Sequence, residues 1–232
     1  QKIHTYKECQ DFIYSHEMPR IRLSPSYFAY VKIADGCDNC CSYCAIPQIK
    51  GRYRSRPIES IVEETKKLAH EGVKEIALVA QDTTRYGIDR YGRISLVELL
   101  SRLVRVDGIE WIRLMYCYPD VFSEELIEII AKESKICKYI DLPLQHANND
   151  ILKKMNRRNT MEEAALLIEQ LRQNIPEIFI RSTFITGFPG ETREQFEDLL
   201  DFVRKSKLDR IGVFSYSQEE GTPAAKMSGQ VP

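Results

Sequence analysis

The sequence predicts an α/β fold of six consecutive βα units, arranged as a six-unit partial (β/α) barrel or, as the alternative, a doubly wound sheet. Three observations carry this. Short apolar runs rich in β-branched and aromatic residues recur along the chain. Each is followed by an amphipathic stretch with helix-start signals. Strands alternating with helices bury themselves as a parallel sheet with the helices outside, and six units rather than eight suggest an open or partial barrel.

Taken in order, strands are expected near Phe28–Ile33, Glu75–Ala80, Trp111–Tyr116, Tyr139–Leu144, Ile178–Ile185 and Arg210–Ser215. Pro57 opens the first long helix, Ile58, Ile61, Val62, Thr65, Leu68 and Ala69 form its face, and Gly72 closes it. Ser95 with Glu98, Thr160 with Glu163, and Thr192 with Gln195 each have the spacing of a capping box. Ser123 caps a further helix that packs through Leu126, Ile127 and Ile130. The domain is expected over residues 27–220. Residues 1–26 and 221–232 read as linkers, the chain as a whole as a fragment of something longer.

With 232 residues, 43% of them hydrophobic, the chain can bury one large core. Its net charge of −1 argues against a dedicated nucleic-acid binder held by phosphate contacts. No apolar run approaches the roughly 20 residues of a membrane span. The seven cysteines are odd in number and clustered, a poor disulfide framework that fits a reducing cytoplasm. Cys9, Cys117 and Cys137 read as free thiols, Cys117 being nearest a strand end.

Cys37, Cys41 and Cys44 have the spacing Cys-x3-Cys-x2-Cys. Thiolates suit iron–sulfur clusters, most of which take four cysteines. Three in one loop would hold three irons of a 4Fe-4S cluster and leave the fourth open, and an open metal position usually means chemistry. The competing reading pairs Cys37 with Cys40 and Cys41 with Cys44 as two zinc knuckles of a binding module. Such pairs are usually a dozen or more residues apart, and here they abut.

Parallel α/β folds place their sites at the carboxyl ends of the strands. Polar or reactive residues gather there: Asp35-Gly36 and the cysteine loop, Gln81-Asp82-Thr83, Cys117-Tyr118, Gln145-His146, Thr186-Gly187, and Tyr216. Arg181, in an otherwise apolar strand, needs an anionic partner, either a ligand or a neighbouring carboxylate. Gly187-Phe188-Pro189-Gly190-Glu191 is a glycine-bearing turn that lets backbone approach a ligand. Lys50, Arg52, Arg54 and Arg56 read as a solvated loop or as a guide for an RNA-rich target. His146 reads as a hydrogen-bonded structural histidine.

The cysteine spacing, with an aromatic residue before the last cysteine, resembles the signature of radical S-adenosylmethionine (radical SAM) enzymes. The stretches 37–47, 51–57, 141–146, 187–192 and 219–222 together resemble the methylthiotransferases of that class, over the chain from about Tyr27 onward. Of two branches, one modifies an adenosine in transfer RNA and the other an aspartate of the twelfth small-subunit ribosomal protein. Ala80-Gln81-Asp82-Thr83-Thr84-Arg85-Tyr86-Gly87, Leu142-Pro143-Leu144-Gln145-His146-Ala147 and Ser217-Gln218-Glu219-Glu220-Gly221-Thr222 are similar to the ribosomal-protein branch.

The resemblance favours the partial barrel and implies a cluster on Cys37, Cys41 and Cys44 whose open iron takes S-adenosylmethionine. It implies Gln81 and Asp82 near the methionine amino group, Arg181 on its carboxylate, and Thr183 beside it. It sets Tyr43, Gly187 and Glu191 around the adenosyl part, while the charge pattern makes Arg52, Arg54 and Arg56 the candidate substrate-guiding residues. It further implies an electron donor such as flavodoxin or ferredoxin, and leaves direct RNA contact open. Full-length members carry an N-terminal domain with an auxiliary 4Fe-4S cluster and a C-terminal β-barrel domain. The chain is therefore expected to be the excised central domain, able to cleave S-adenosylmethionine but not to methylthiolate.

Overall fold

A computed structural model of the chain describes residues 12–231; Cys9 and the first part of the expected N-terminal linker lie outside them. In chain order the elements are β1 (Phe28–Lys32), β2 (Ala34–Asp35), α1 (Ile46–Lys50), β3 (Arg54–Ser55), α2 (Ile58–His70) and β4 (Glu75–Val79). There follow α3 (Ile88–Tyr91), α4 (Leu96–Leu103), β5 (Trp111–Leu114), α5 (Glu124–Lys132) and β6 (Ile136–Asp141). The last are α6 (Asn149–Lys154), α7 (Met161–Asn174), β7 (Phe179–Thr186), α8 (Arg193–Ser206) and β8 (Arg210–Ser215).

Six strands form one sheet in the order β1-β4-β5-β6-β7-β8, and every pair is parallel. β1 and β8 are its two edges, so the barrel is partial and open. β2 and β3 form a separate two-stranded antiparallel arch that frames the cysteine loop. Among the described residues no helix is long and apolar enough to cross a membrane.

The helices cover the outside of the sheet through their apolar faces. In α4, Leu96, Leu99, Leu100 and Leu103 recur at helical spacing and are all fully buried. Each such leucine stabilises the fold by about 2 kcal/mol. Thr160 and Thr192 form complete capping boxes with Glu163 and Gln195, and Ser123 Oγ accepts from Leu126 N. Ser95 does cap α4 by position, but its hydroxyl donates to Arg93 O, and Glu98 pairs with Arg93 instead of closing a box.

The fourth strand of the main sheet lies earlier than expected, at Ile136–Asp141 rather than Tyr139–Leu144. Pro143 has no N–H to give the ladder. Around it the chain keeps to β7 through Leu142 N to Arg181 O, Gln145 N to Thr183 O, Ile185 N to Gln145 O, the Ser182 hydroxyl and an isolated bridge at Gln145–Phe184. Residues 221–231 do not hang free. Ala224 is fully buried with Ile151, Met155 and Phe188 in a second small core, against which Tyr43, Tyr216 and Met227 pack.

Candidate active site at the strand carboxyl ends

Gly36 begins the cysteine loop with φ +78°, and a Cβ there would lie 2.1 Å from Arg52 O. Only glycine lets the strand leaving β2 press against the strand entering β3. Cys37 N donates to Gly51 O (3.2 Å) and Tyr53 N to Asp38 Oδ1 (3.2 Å), so both ends of the loop are tied to one arch. From the other side the segment around α6 grips the loop. Ser42 N donates to Met155 O (3.0 Å), Ser42 Oγ to Lys154 O (2.8 Å) and Asn156 Nδ2 to Cys40 O (2.9 Å). Ala224 N completes the set by donating to Ser42 O (2.8 Å).

The loop walls a cavity of about 650 Å³ at the carboxyl ends of the strands. Cys37, Cys41 and Cys44 line it, as do Tyr43, Gln81, Arg181 and Thr183. Cys40 is exposed and outside it. A larger groove of about 840 Å³ runs between α7 and α8 on the outer surface, but no cysteine faces it.

The donor set fits a cluster. Three thiols face one cavity, yet among the described residues no three His, Cys, Asp or Glu side chains converge on the position of a single ion. A tetrahedral zinc would need that convergence, whereas in a cubane each thiolate holds its own iron. Burial pushes the Cys37 thiol up to about 11, with Cys41, Asp82 and Cys44 adding to the rise and the Asn39 N–H opposing it. Burial raises Cys44 as well. Without a metal these are thiols, and the metal itself must draw off the protons. Gln81 Oε1 is buried without a hydrogen-bond partner, an acceptor left for a donor in the cavity.

Several expected site residues make contacts with the scaffold. Asp82 does not line the cavity. Its carboxylate is enclosed, accepting from Asn39 Nδ2 (2.8 Å), Thr84 N (3.1 Å), Thr84 Oγ1 (2.6 Å) and Arg85 N (3.3 Å). Burial raises its pKa against the pull of the Thr84 and Asn39 hydrogen bonds. Arg181 pairs with Asp141, its register partner on β6, so the neighbouring-carboxylate reading holds, while both residues still face the cavity.

Gly187 and Glu191 lie outside the lining. Glu191 accepts from Phe188 N (2.9 Å) and meets His146 Nε2 (3.3 Å), which fixes the turn that sinks Phe188 into the second core. Arg56 is fully buried, paired with Glu64 and donating to Lys32 O, so it cannot meet a target. Arg54 donates to Arg52 O and Lys50 O, holding the loop after α1. Of the three, only Arg52 is exposed. Cys117 is buried against Thr83 and away from the cavity.

Tyr118, expected at a strand end, lines the cavity, and so do Tyr116, Asp141 and Arg157, which were not expected there. Asp141 and Tyr118 sit at strand ends, a signal that was present in the sequence. Arg157 follows a six-residue helix with no periodic stripe, and nothing in its neighbourhood distinguishes it from a solvated helix end.

A parallel partial barrel with three cavity-facing thiols on its first βα loop defines an iron–sulfur enzyme of the radical type. Residues 31–203 match the model of the radical SAM superfamily, and the chain belongs to that family. It is 56% identical, over 97% of its length, to the ribosomal protein uS12 methylthiotransferase RimO of Desulfitobacterium hafniense strain Y51, and 58% identical over 98% to that of Desulforamulus reducens. It covers 51% of each, so the chain spans about half the length of these relatives. Among solved structures, the radical S-adenosylmethionine methyltransferase TsrM from Kitasatospora setae, with cobalamin and a 4Fe-4S cluster bound, superposes with a TM-score of 0.70. The identity is 22%, over 85% of this chain and 38% of that one. Coproporphyrinogen III oxidase (HemN) from Escherichia coli, a radical SAM enzyme, gives 0.61 at 17% identity over 88% and 48%. At these identities the two structures show the shared fold.

Proposed function

We propose that Cys37, Cys41 and Cys44 hold a 4Fe-4S cluster with one open iron, and that S-adenosylmethionine binds beside it. The reaction served is transfer of a methylthio group to the β-carbon of an aspartate in ribosomal protein uS12. The observation that carries this reading is the convergence of the three thiols and the orphaned Gln81 carboxamide on one strand-end cavity. Relatives named for the uS12 reaction, at more than half identity over nearly the whole chain, support it over the transfer-RNA branch.

When bound, the cluster supplies the electron that splits S-adenosylmethionine and so provides a radical able to take hydrogen from an unactivated carbon. The chain's own residues bind and orient. The Asn39–Asp82 bond and the α6 grip hold the three ligands in place, and Gln81 Oε1 accepts from the methionine amino group. The aromatic rings of Tyr43, Tyr116 and Tyr118 give that part of the cavity an apolar wall. Arg181, neutralised by Asp141, presents its remaining N–H groups to a carboxylate. Relatives twice as long support ascribing methylthiolation to a longer protein and S-adenosylmethionine cleavage to this chain. Clustered cysteines, free among the described residues, fit a cytoplasmic setting.

Anaerobic reconstitution with iron and sulfide tests the reading. About four irons per chain are expected, lost in Cys41→Ala and kept in Cys40→Ala. The loaded chain should cleave S-adenosylmethionine without methylthiolating a uS12 peptide. Tight zinc and no cluster would overturn it.

A further inference from the structure

Arg157 occupies an unusual position. Its Nη1 lies 4.0 Å from Cys41 Sγ, at the long limit of an N–H···S hydrogen bond, and its Nη2 donates to Pro143 O at 2.9 Å. The guanidinium carbon sits 3.8 Å from the centroid of the Tyr118 ring, a cation–π contact. Nε is buried without a partner. By contrast, Arg85 and Arg158 reach Asp120, and Arg181 reaches Asp141. Among the described residues none stands within ion-pair distance of Arg157.

A partly buried cation without a counter-charge is unfavourable unless an anion completes the site. The candidate cluster ligand that it meets is Cys41, and a thiolate bound to a cluster is such an anion. Three thiolates leave a 4Fe-4S cluster anionic, and reduction adds one more negative charge. A fixed positive charge beside one sulfur therefore stabilises the reduced form more than the oxidised form. Net charge and hydrogen bonds to sulfur are established determinants of cluster potential.

We propose, resting on the cluster assignment above, that Arg157 is a positioning residue that acts through Cys41 to raise the reduction potential of the cluster. The tyrosine ring is part of the device. Tyr118 N donates to Thr84 Oγ1 (3.0 Å), and Thr84 Oγ1 donates to Asp82 (2.6 Å), so the platform under the guanidinium is anchored to the same carboxylate that holds Asn39.

The test is a redox titration followed by electron paramagnetic resonance, without S-adenosylmethionine, on reconstituted wild type, Arg157→Gln and Arg157→Lys, with iron counted in each. Arg157→Gln should lower the ratio of reduced to oxidised cluster at a given potential by tenfold or more, about 59 mV for one electron. Arg157→Lys should lie between the two. A loaded Arg157→Gln with the wild-type potential would overturn the proposal while leaving the cluster assignment intact, and so would a change confined to S-adenosylmethionine affinity. Should Arg157→Gln take up less iron, Tyr118→Leu carries the test: it frees the guanidinium and should shift the potential the same way, and no shift would overturn the proposal. A wild type that holds no cluster removes both readings.

Discussion

Asn39 Nδ2 donates to Asp82 Oδ2 at 2.8 Å, joining the cysteine loop to the carboxyl end of β4 across 43 residues of sequence. The bond is buried, and Tyr53 OH reinforces it by donating to Asp82 O at 2.7 Å. Asp82 thus acts as the post to which the cluster loop is tied. Asp82→Ala removes the acceptor for four hydrogen bonds and should destabilise the chain by about 2–3 kcal/mol in urea denaturation. It should also reduce iron retention, though its side chain does not line the cavity. Full retention of iron would show that the arch alone holds the loop.

Arg56 and Glu64 form a buried pair in which Glu64 also receives Arg20 from the N-terminal segment. Arg56→Met leaves Glu64 with only its more exposed partner and should cost about 3 kcal/mol. The double change Arg56→Met with Glu64→Met should recover much of that, because two apolar side chains replace two desolvated charges. Urea midpoints of the three proteins decide it. S-adenosylmethionine cleavage per folded molecule should stay unchanged in both variants.

That pair also marks where sequence reading runs out. Alternation of Lys and Arg with Gly, Tyr and Ser in 50–56 carries no sign of burial, and the partner that makes Arg56 structural stands on the next helix. The strand at Arg210–Ser215 and the caps at Thr160 and Thr192 were legible because their signals are local: β-branched runs and three-residue spacings. The cysteine loop was legible as a candidate site because its three-cysteine spacing is local, and the three side chains do line one cavity. Asp82 was placed at the right strand end, but the direction of its side chain depends on Asn39 in a distant loop. Arg157 and the α6 grip were invisible, since Ile151 and Leu152 are the only buried residues of that helix and its contacts are with a segment more than a hundred residues earlier.

Gly36 is a sharper probe of the arch. With φ +78° and Arg52 O 2.1 Å from where a Cβ would stand, Gly36→Ala meets both backbone strain and a backbone clash. The β2–β3 arch should open. We expect lower thermal stability and loss of most bound iron, whereas Gly72→Ala, with open space around it and a positive φ of its own, should show the strain term alone. Equal effects of the two would mean that the close approach at Gly36 contributes nothing.

Glu191 provides a pH-dependent test of the second core. Burial acts to raise its pKa, but hydrogen bonds from His146 and from the Phe188 and Gly187 backbone outweigh it and hold the carboxyl below its ordinary value. A carboxyl with a depressed folded pKa stabilises the fold in full above its unfolded value, near 4.3. The contribution is lost as pH falls through the lower folded value. Glu191→Gln should therefore be less stable than wild type by about 1–2 kcal/mol at pH 7, with the gap closing below about pH 4. A gap that persists undiminished at pH 3 would mean that the carboxylate charge is not what holds the turn.

Gln81 separates ligand binding from cluster assembly. Its carboxamide lines the cavity, and its oxygen is buried without a partner, which is unfavourable until a donor arrives. The ammonium of an amino acid is such a donor, and a hydrogen bond to a charged group contributes about 1.5–3 kcal/mol. Gln81→Met keeps the volume and removes the acceptor, so S-adenosylmethionine affinity should fall by about ten- to a hundredfold in calorimetry on the reconstituted chain. Iron content should not change, because no cysteine contact depends on the carboxamide. Gln81→Glu adds a negative charge to the same acceptor and should bind at least as tightly as wild type. If Gln81→Met binds S-adenosylmethionine like wild type, the orphaned oxygen answers to some other donor, and the amino group must be held by backbone carbonyls at the neighbouring strand ends.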